Sequence, residues 1–481
     1  MPVDAGPERV DDGAMADKTD SVLHRFLDEL GMRGTRPAVE LPAGGTLPSA
    51  FAVSDLAQAS IGAAGAALAR FIAAGGGGEP AVTVDRDLAS AWFAWSLRPD
   101  GWSVPDAWDP VAGDYAGNDG WIKLHTNAPH HRAAALAILG TAGDRVAVAD
   151  AVARWSVGDL ESAVVDAGGV AASLRPIAVW DTHRQGMAVA GEPLVHVERT
   201  SVHGERTSAR SEIETGHVDP TRPLAGVRVL DLTRVLAGPV ATRLLAGWGA
   251  EVLRVDPPGW DEPGVVPEVT IGKRCTRLDL TTDGARRRFL DLLDSADVLV
   301  HGYRPGALEG LGLGPDVRQT ARPGLVDVSL DAYGWTGPWA TRRGYDSLVQ
   351  MSSGIAHAGM VAASSDRPVP LPVQALDHAT GYLLAACALT GLTQRRDDGR
   401  GSRWRTSLAA MARLLVDTGV ATSIEGDGIH PAGPAAGAPI EHTVWGDARR
   451  LPPPVEVDGA PLRWDLPASP LGTAEPAWLD D

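Results

Sequence analysis

The sequence predicts an α/β fold, an open parallel sheet domain joined to a smaller α+β domain, on three observations. From Arg222 onward, apolar runs of strand length (VRVLDL, EVLRVD, TRLDL, DVLVHGY, LVDVSL) alternate with helical patterns such as VATRLLAGWG and GARRRFLDLLDSA. That alternation marks parallel strands covered by helices. Residues 223–259 hold one complete βαβ unit: a buried strand over 227–232, a turn at Ala237-Gly238-Pro239, a helix over 240–248 and a second strand over 251–255. A separate block at 46–199 carries its own strand, loop and helix pattern at 115–140. The sheet domain is therefore expected to be Rossmann-like. Such sheets bind small molecules at the carboxyl ends of their strands, here in the 233–239 loop.

The elements follow in order. Residues 1–45 are rich in Gly, Pro and Asp around one helix predicted at 21–30, and are expected to be otherwise disordered or extended. Residues 46–199 are predicted to form a helix plus the small α+β domain. Gly75 to Gly78 reads as a flexible hairpin, because a phosphate cradle needs a following helix N-terminus and Glu79-Pro80 leads into a strand. Residues 200–221 (TSVHGERTSARSEIETGHVDPT) form a polar linker, 222–430 the Rossmann-like domain, and 431–481 a C-terminal tail expected to pack back on it. One unit occurs twice: aspartate, apolar helix, Gly-rich turn, strand and helix, first from Asp55 and again from Asp377. It is either a duplicated supersecondary unit or a chance likeness of two Ala-rich helices.

Composition narrows the function. A net charge of −18 argues against a surface for nucleic acid or anionic membrane, which needs basic patches. The apolar stretches at 52–74 and 373–392 are interrupted by Asp, Gln or Gly and read as buried helices, since a membrane span needs about 20 apolar residues. Two cysteines (Cys275, Cys387) and an N-terminus without a basic and apolar leader point to a cytoplasmic protein. His125, His130 and His131 invite a metal, yet no Cys or paired acid lies at ligand spacing, so none is expected. The tryptophans at 92, 95, 102 and 108 lack interleaved basic residues and suit packing better than base stacking.

Four motifs stand in order: PLAGVRVLDLTRVLAGP with GAEVLRVD, GKRCTRLDL (272–280), ADVLVHGYRPGALEGLGLG (296–314) and AYGWTGPWATRRGYDSLVQMSSGI (332–355). Together they resemble the family III coenzyme A transferases (CaiB/BaiF-like). The likeness extends loosely to the small domain (DGW at 119–121, HRQG at 183–186) and to the tail, but in a rearranged order, with helix and small domain ahead of the sheet domain. The resemblance implies transfer of coenzyme A between carboxylic acids, with acyl-CoA as substrate and no tightly bound cofactor. It also implies an interlocked homodimer.

In that family the nucleophile lies in an Asp-x-x-x-Gly sequence opening an Ala-rich helix, which is Asp377-His378-Ala379-Thr380-Gly381 here. A carboxylate that attacks a thioester gives a reactive and recyclable anhydride, and helix-start amides are expected to hold it ionised. The same residue type at the same place also serves as an ordinary N-cap, worth about 1 kcal/mol. Asp55, in the first copy, lacks the following Gly and is expected to cap its helix. The resemblance places coenzyme A against Arg234, Val235, Ala237, Gly238, Tyr303, Arg304 and Pro305. With only three lysines (Lys18, Lys123, Lys273), arginine must supply most phosphate contacts. Leu236 and Gly310 replace residues that are often polar or Arg in the family, which removes two possible contacts.

Rival readings remain. An acyl-CoA racemase needs an acid/base His before the Asp of Gly-x-Asp, and Tyr345 stands there. A non-catalytic CoA-binding subunit fits the altered Leu236 and Gly310. An NAD enzyme fits Asp256 at a strand end, but the first turn lacks Gly-x-Gly-x-x-Gly.

Overall fold

A computed structural model describes residues 12–34, 36–200, 218–426 and 438–479. Its central sheet has seven strands: β1 (His196–Arg199), β2 (Arg228–Leu232), β3 (Glu251–Asp256), β4 (Lys273–Arg277), β5 (Val298–His301), β6 (Val326–Asp331) and β7 (Ser402–Ser407). They lie in the order β4-β3-β2-β5-β6-β7-β1, all parallel except β1, which runs antiparallel to β7. The chain moves outward from β2 through β3 to β4, then returns to place β5 on the other side of β2. Strand order therefore reverses between β2 and β5, and the loops after Leu232 and His301 open onto one crevice. That is where open α/β sheets bind ligands.

Eight helices matter for the site: α1 (Asp12–Glu29), α2 (Val53–Ala74), α3 (Arg86–Trp92), α4 (Pro129–Leu139), α5 (Ala237–Gly247), α6 (Asp346–Ser352), α7 (Ala375–Asp398) and α8 (Leu408–Asp417). The helix predicted at 240–248 begins three residues earlier, at Ala237. Pro239 sits in its first turn, where a missing N–H costs nothing. Helices α2 and α7 pack side by side in the main core, and α5 packs on α7. Small residues allow this: a Cβ on Gly381 of α7 would lie 2.4 Å from the Ala237 carbonyl oxygen. Helix α2 is the one helix among the described residues that is long and apolar enough to cross a membrane, and it is buried inside the fold.

Several domain boundaries need correction. Residues 1–45 are not merely disordered or extended, because α1 lays Val22, Leu23, Phe26 and Leu27 against the core, an i, i+3, i+4 stripe that finds α2 as its partner. Residues 46–199 are not one unit. Helix α2 belongs to the main core, β1 forms an edge of the large sheet, and the short strand Val82–Val84 pairs with Val39–Glu40 and with Val455–Val457 of the tail. The small domain proper is the antiparallel sheet Gly113–Ala116, Trp121–Leu124 and Ala171–Ser173 with α4 and two further helices, around its own core of Tyr115, Ile122, Val148 and Leu160. The linker lies outside the described residues over 201–217, as does 431–437 of the tail. Trp464 of the tail stacks on Trp92 at 5.9 Å, and Trp478 is buried under the sheet domain.

The repeated unit keeps its order, α2 to Val82–Val84 to α3 and α7 to β7 to α8, but only the second copy puts its strand into the central sheet.

Candidate active site

The crevice begins with a buried ion pair. Lys273 and Asp231 are both fully buried, with Lys273 Nζ 3.0 Å from Asp231 Oδ2. Lys273 also donates to the Pro239 carbonyl oxygen (2.9 Å) and Thr242 Oγ1 (2.6 Å), so all three of its protons have acceptors. Asp231 Oδ1 accepts the Thr233 N–H at 2.9 Å. One satisfied charge pair thus ties β2, β4 and the first turn of α5 together, and holds the intervening loop open.

That loop is strained. Val235 has φ +64°, a left-handed conformation unfavourable for a β-branched residue. Its N–H donates to Glu262 Oε2 at 2.9 Å, and Glu262 is itself held by Arg254 and by Trp260 Nε1. Next to it the Arg234 guanidinium lies between two rings, 4.9 Å from the centre of Trp260 and 5.0 Å from Tyr303. Stacking fixes the plane of the cation and leaves its N–H edge free to meet an anion.

These residues line a cavity of about 370 Å³. Arg234, Val235, Ala237, Gly238, Tyr303, Arg304 and Asp377 all face it, so six of the seven positions assigned to coenzyme A and the assigned nucleophile meet in one place. Pro305 lines a small adjoining pocket with Arg318, Arg403 and Arg405. Arg342 and Arg343 add positive charge to the larger cavity; Arg342 is paired with Glu161 at 2.6 Å. Asp331, at the end of β6, faces the same space, and burial pushes its carboxyl up to about 8.

Asp377 is buried in the first turn of α7. It does not cap the helix: Gln374 holds the cap position and makes no side-chain cap hydrogen bond. The Asp377 N–H instead donates to Oδ2 of buried Asp346 at 2.9 Å. Asp346 also takes the Gln350 amide, whose oxygen accepts the Leu371 N–H at 2.8 Å. The expectation that helix-start amides keep the Asp377 carboxylate ionised is reversed. Burial, then the nearby Asp346, drives the Asp377 carboxyl well above the ordinary carboxylate range.

Behind Asp377 lies a second cavity of about 300 Å³, walled by Phe93, Trp95, Trp108, Leu236, Val265 and Val373. Asp377 lines both cavities. Leu236 is therefore an apolar wall rather than merely a lost polar contact. Gly310 is exposed, and a Cβ there would meet nothing within 4 Å.

Sequence reasoning missed several of these residues. His130 and His131, weighed in the sequence only as metal ligands, line the large cavity, and burial pushes His131 down to about 4. His125 stacks flat on Tyr345 with ring centres 3.9 Å apart. Burial raises Tyr345 to about 12, so it stays a neutral phenol. The GYD motif was the available signal for Tyr345 and Asp346. The walls from Phe93 to Asn127 had none, since they reach the site from over 200 residues away in the chain. Asp55 neither caps nor faces a cavity among those described: its Oδ1 accepts the Thr19 hydroxyl (2.7 Å) and its Oδ2 pairs with buried Arg86 (3.1 Å). No group of three metal-binding side chains exists among the described residues.

The chain is similar to several known proteins over part of its length. A probable fatty acyl-CoA transferase of Mycobacterium tuberculosis is 38% identical over 195 residues, covering 38% of this chain and 49% of that protein. The mouse succinyl-CoA:glutarate CoA-transferase is 36% identical over 196 residues, covering 38% of this chain and 44% of that protein. A crystal structure of the mycobacterial protein aligns with a TM-score of 0.37 at 34% identity, over 41% of this chain and 59% of that one. The chain spans about half the length of the curated relatives it matches. Residues 224–442 match the family model of CoA-transferase family III.

Proposed function

We propose that the chain transfers coenzyme A between carboxylic acids, with Asp377 as covalent nucleophile. One observation carries the reading: the Asp377 carboxyl stands on the wall shared by an arginine-lined cavity and an apolar one. A thioester has the same division, with an anionic nucleotide on one side of its carbonyl and an acyl group on the other.

The steps balance without a redox partner or a net proton. The Asp377 carboxylate attacks the thioester carbonyl, the carbon–sulfur bond breaks, and CoA thiolate leaves a mixed anhydride. The thiolate attacks the Asp377 carbonyl carbon, giving an aspartyl-CoA thioester and releasing the donor carboxylate. An acceptor carboxylate then attacks that thioester, forming a second anhydride and freeing the thiolate. Attack of the thiolate on the acceptor's carbonyl restores the Asp377 carboxylate. Arg234, clamped between Trp260 and Tyr303, pairs with a phosphate of CoA, with Arg304 and Arg343 adding charge. Tyr345 is a neutral donor beside the reacting carbonyl.

His130 and His131 come from the small domain, and Asp377 and Arg234 from the sheet domain of the same chain. One chain therefore suffices for a complete site in this reading, whether or not two chains associate.

Incubation with an acyl-CoA, trapping with hydroxylamine and peptide mapping tests the proposal. Modification at Asp377, lost in Asp377→Asn together with thioester exchange, is the expected result. Exchange by Asp377→Asn at the wild-type rate overturns it. CoA binding without adduct or exchange would instead favour a non-catalytic CoA-binding protein.

A further inference from the structure

We infer that the cavity behind Asp377 receives an apolar, unsubstituted monoacyl chain of medium length and rejects dicarboxylic acids. The inference rests on the transferase reading above and adds the substrate class.

The walls carry the argument. Phe93, Trp95, Trp108, Leu236, Val265 and Val373 present carbon to the space. No Lys or Arg lines it among the described residues. The titratable groups that do are two acids, Asp346 and Asp377, two imidazoles, His125 and His378, and the neutral phenol of Tyr345, beside the uncharged polar side chains of Asn127, Ser347 and Gln374. Burial pushes both imidazoles down to about 3, so they are neutral at physiological pH. His125 is further occupied by its stack on Tyr345, and His378 by its stack on Phe93 at 5.1 Å. Lys123, close to one wall, lies 5.8 Å from the centre of the Trp108 ring and is paired with Asp114 at 2.7 Å. A second carboxylate at the far end of the acyl group would thus lose its water and meet no positive charge, which is strongly unfavourable.

Charge on the other side of Asp377 shows that this is segregation rather than a general lack of cations. Arg234, Arg304, Arg342 and Arg343 all line the larger cavity. The chain has placed these arginines on one side of Asp377 and no arginine or lysine on the other.

Size sets the length. The cavity of about 300 Å³ is roughly twice the apolar cavity that takes one benzene, which gives room for about eight to twelve carbons. Trp108, 44% exposed and edge-on to His125 at 5.6 Å, stands at the rim as an unusually open aromatic surface that a longer chain would cover.

The test measures kcat/KM for thioester exchange with acetyl-, octanoyl-, decanoyl-, succinyl- and glutaryl-CoA, with Asp377 labelling followed for each. Octanoyl- or decanoyl-CoA should exceed glutaryl-CoA by roughly 100-fold or more. Trp108→Ala, at an exposed position, should raise KM for decanoyl-CoA about tenfold, and by more than it raises KM for acetyl-CoA. Val373→Arg, at the rim, should narrow the gap between octanoyl- and glutaryl-CoA. Equal use of glutaryl- and octanoyl-CoA with normal Asp377 labelling overturns the inference and leaves the transferase reading intact. Absence of Asp377 labelling by every acyl-CoA overturns both.

Discussion

The Asp377 N–H donates to Asp346 Oδ2 at 2.9 Å, so the first residue of α6 holds the first turn of α7 in place. The contact has two effects. It satisfies an amide that the helix leaves free, and it sets a second acid beside Asp377. Burial raises Asp346 to about 6, and burial together with Asp346 raises Asp377 well above the ordinary carboxylate range.

The sign of the pH effect follows. Attack needs ionised Asp377, so exchange should rise with pH through a value well above the usual carboxylate range. Asp346→Asn keeps an oxygen for the Asp377 N–H but removes the neighbouring charge. Its acid limb in kcat/KM should move to lower pH by roughly one unit, while burial keeps it above the free carboxylate value. Stability runs the other way. Carboxyls whose folded pKa is raised contribute fully below about pH 4, and that contribution is lost as pH rises through the folded values. Asp346→Asn should therefore lose less stability than wild type between pH 4 and 8. A pH-rate profile with an unmoved acid limb would refute the coupling.

Gly381 explains the glycine of the Asp-x-x-x-Gly motif. A Cβ there would lie 2.4 Å from the Ala237 oxygen and 2.8 Å from Val240 Cβ, so α5 and α7 cannot keep their distance once it is added. Gly381→Ala should cost about 1–3 kcal/mol in denaturant unfolding. Because the 233–236 loop and Asp377 ride on these two helices, exchange should fall by at least about tenfold at temperatures where the variant is still folded. A stable variant with full activity would show that the close approach is not required.

How much of this was legible depends on the range of the contact. The parallel sheet could be read from short apolar runs because each strand is buried on both faces, as β2 is along its whole length. Asp377 could be read from a local motif and from its likeness to a known family. The GYD motif marks Asp346 but not its contact, which is a hydrogen bond across 31 residues. The first residues resisted for the same reason: the stripe of α1 looks unremarkable until α2 is beside it. Asp55 misled most, because in sequence it matches Asp377 at the head of an Ala-rich helix, and only Arg86, arriving from α3, separates their chemistry.

Val235 gives a test of stored strain. Its left-handed backbone costs on the order of 1–2 kcal/mol, offset in part because glycine loses more entropy on folding. Val235→Gly should therefore leave the melting temperature unchanged or slightly raised, where removing a half-buried valine elsewhere would lower it. Activity should move oppositely, falling about tenfold as the loop between the two cavities loses its fixed shape. Lower stability with unchanged exchange would mean that the strain has no part in holding the site.

The two aspartate-headed helices make the sharpest contrast. Asp55 meets Arg86 in an ion pair in which both side chains are nearly fully buried, 4% and 7% exposed. Arg86 also reaches Gln58 Oε1 at 3.3 Å and the Gly45 carbonyl oxygen at 3.2 Å, so the group is a structural tie among α1, α2 and α3. Removing one partner leaves an uncompensated buried charge, and Arg86→Met should cost about 3–5 kcal/mol. Asp55→Asn keeps the shape and loses the charge pair, so it should also destabilise, by less than Arg86→Met if the amide still accepts from Thr19. Both variants should leave Asp377 labelling per folded molecule unchanged, whereas Asp377→Asn should abolish labelling with little loss of stability, since burial disfavours the charged form of the carboxyl. A loss of labelling in Asp55→Asn without a fall in unfolding midpoint would give the first copy a catalytic part that its ion pair argues against.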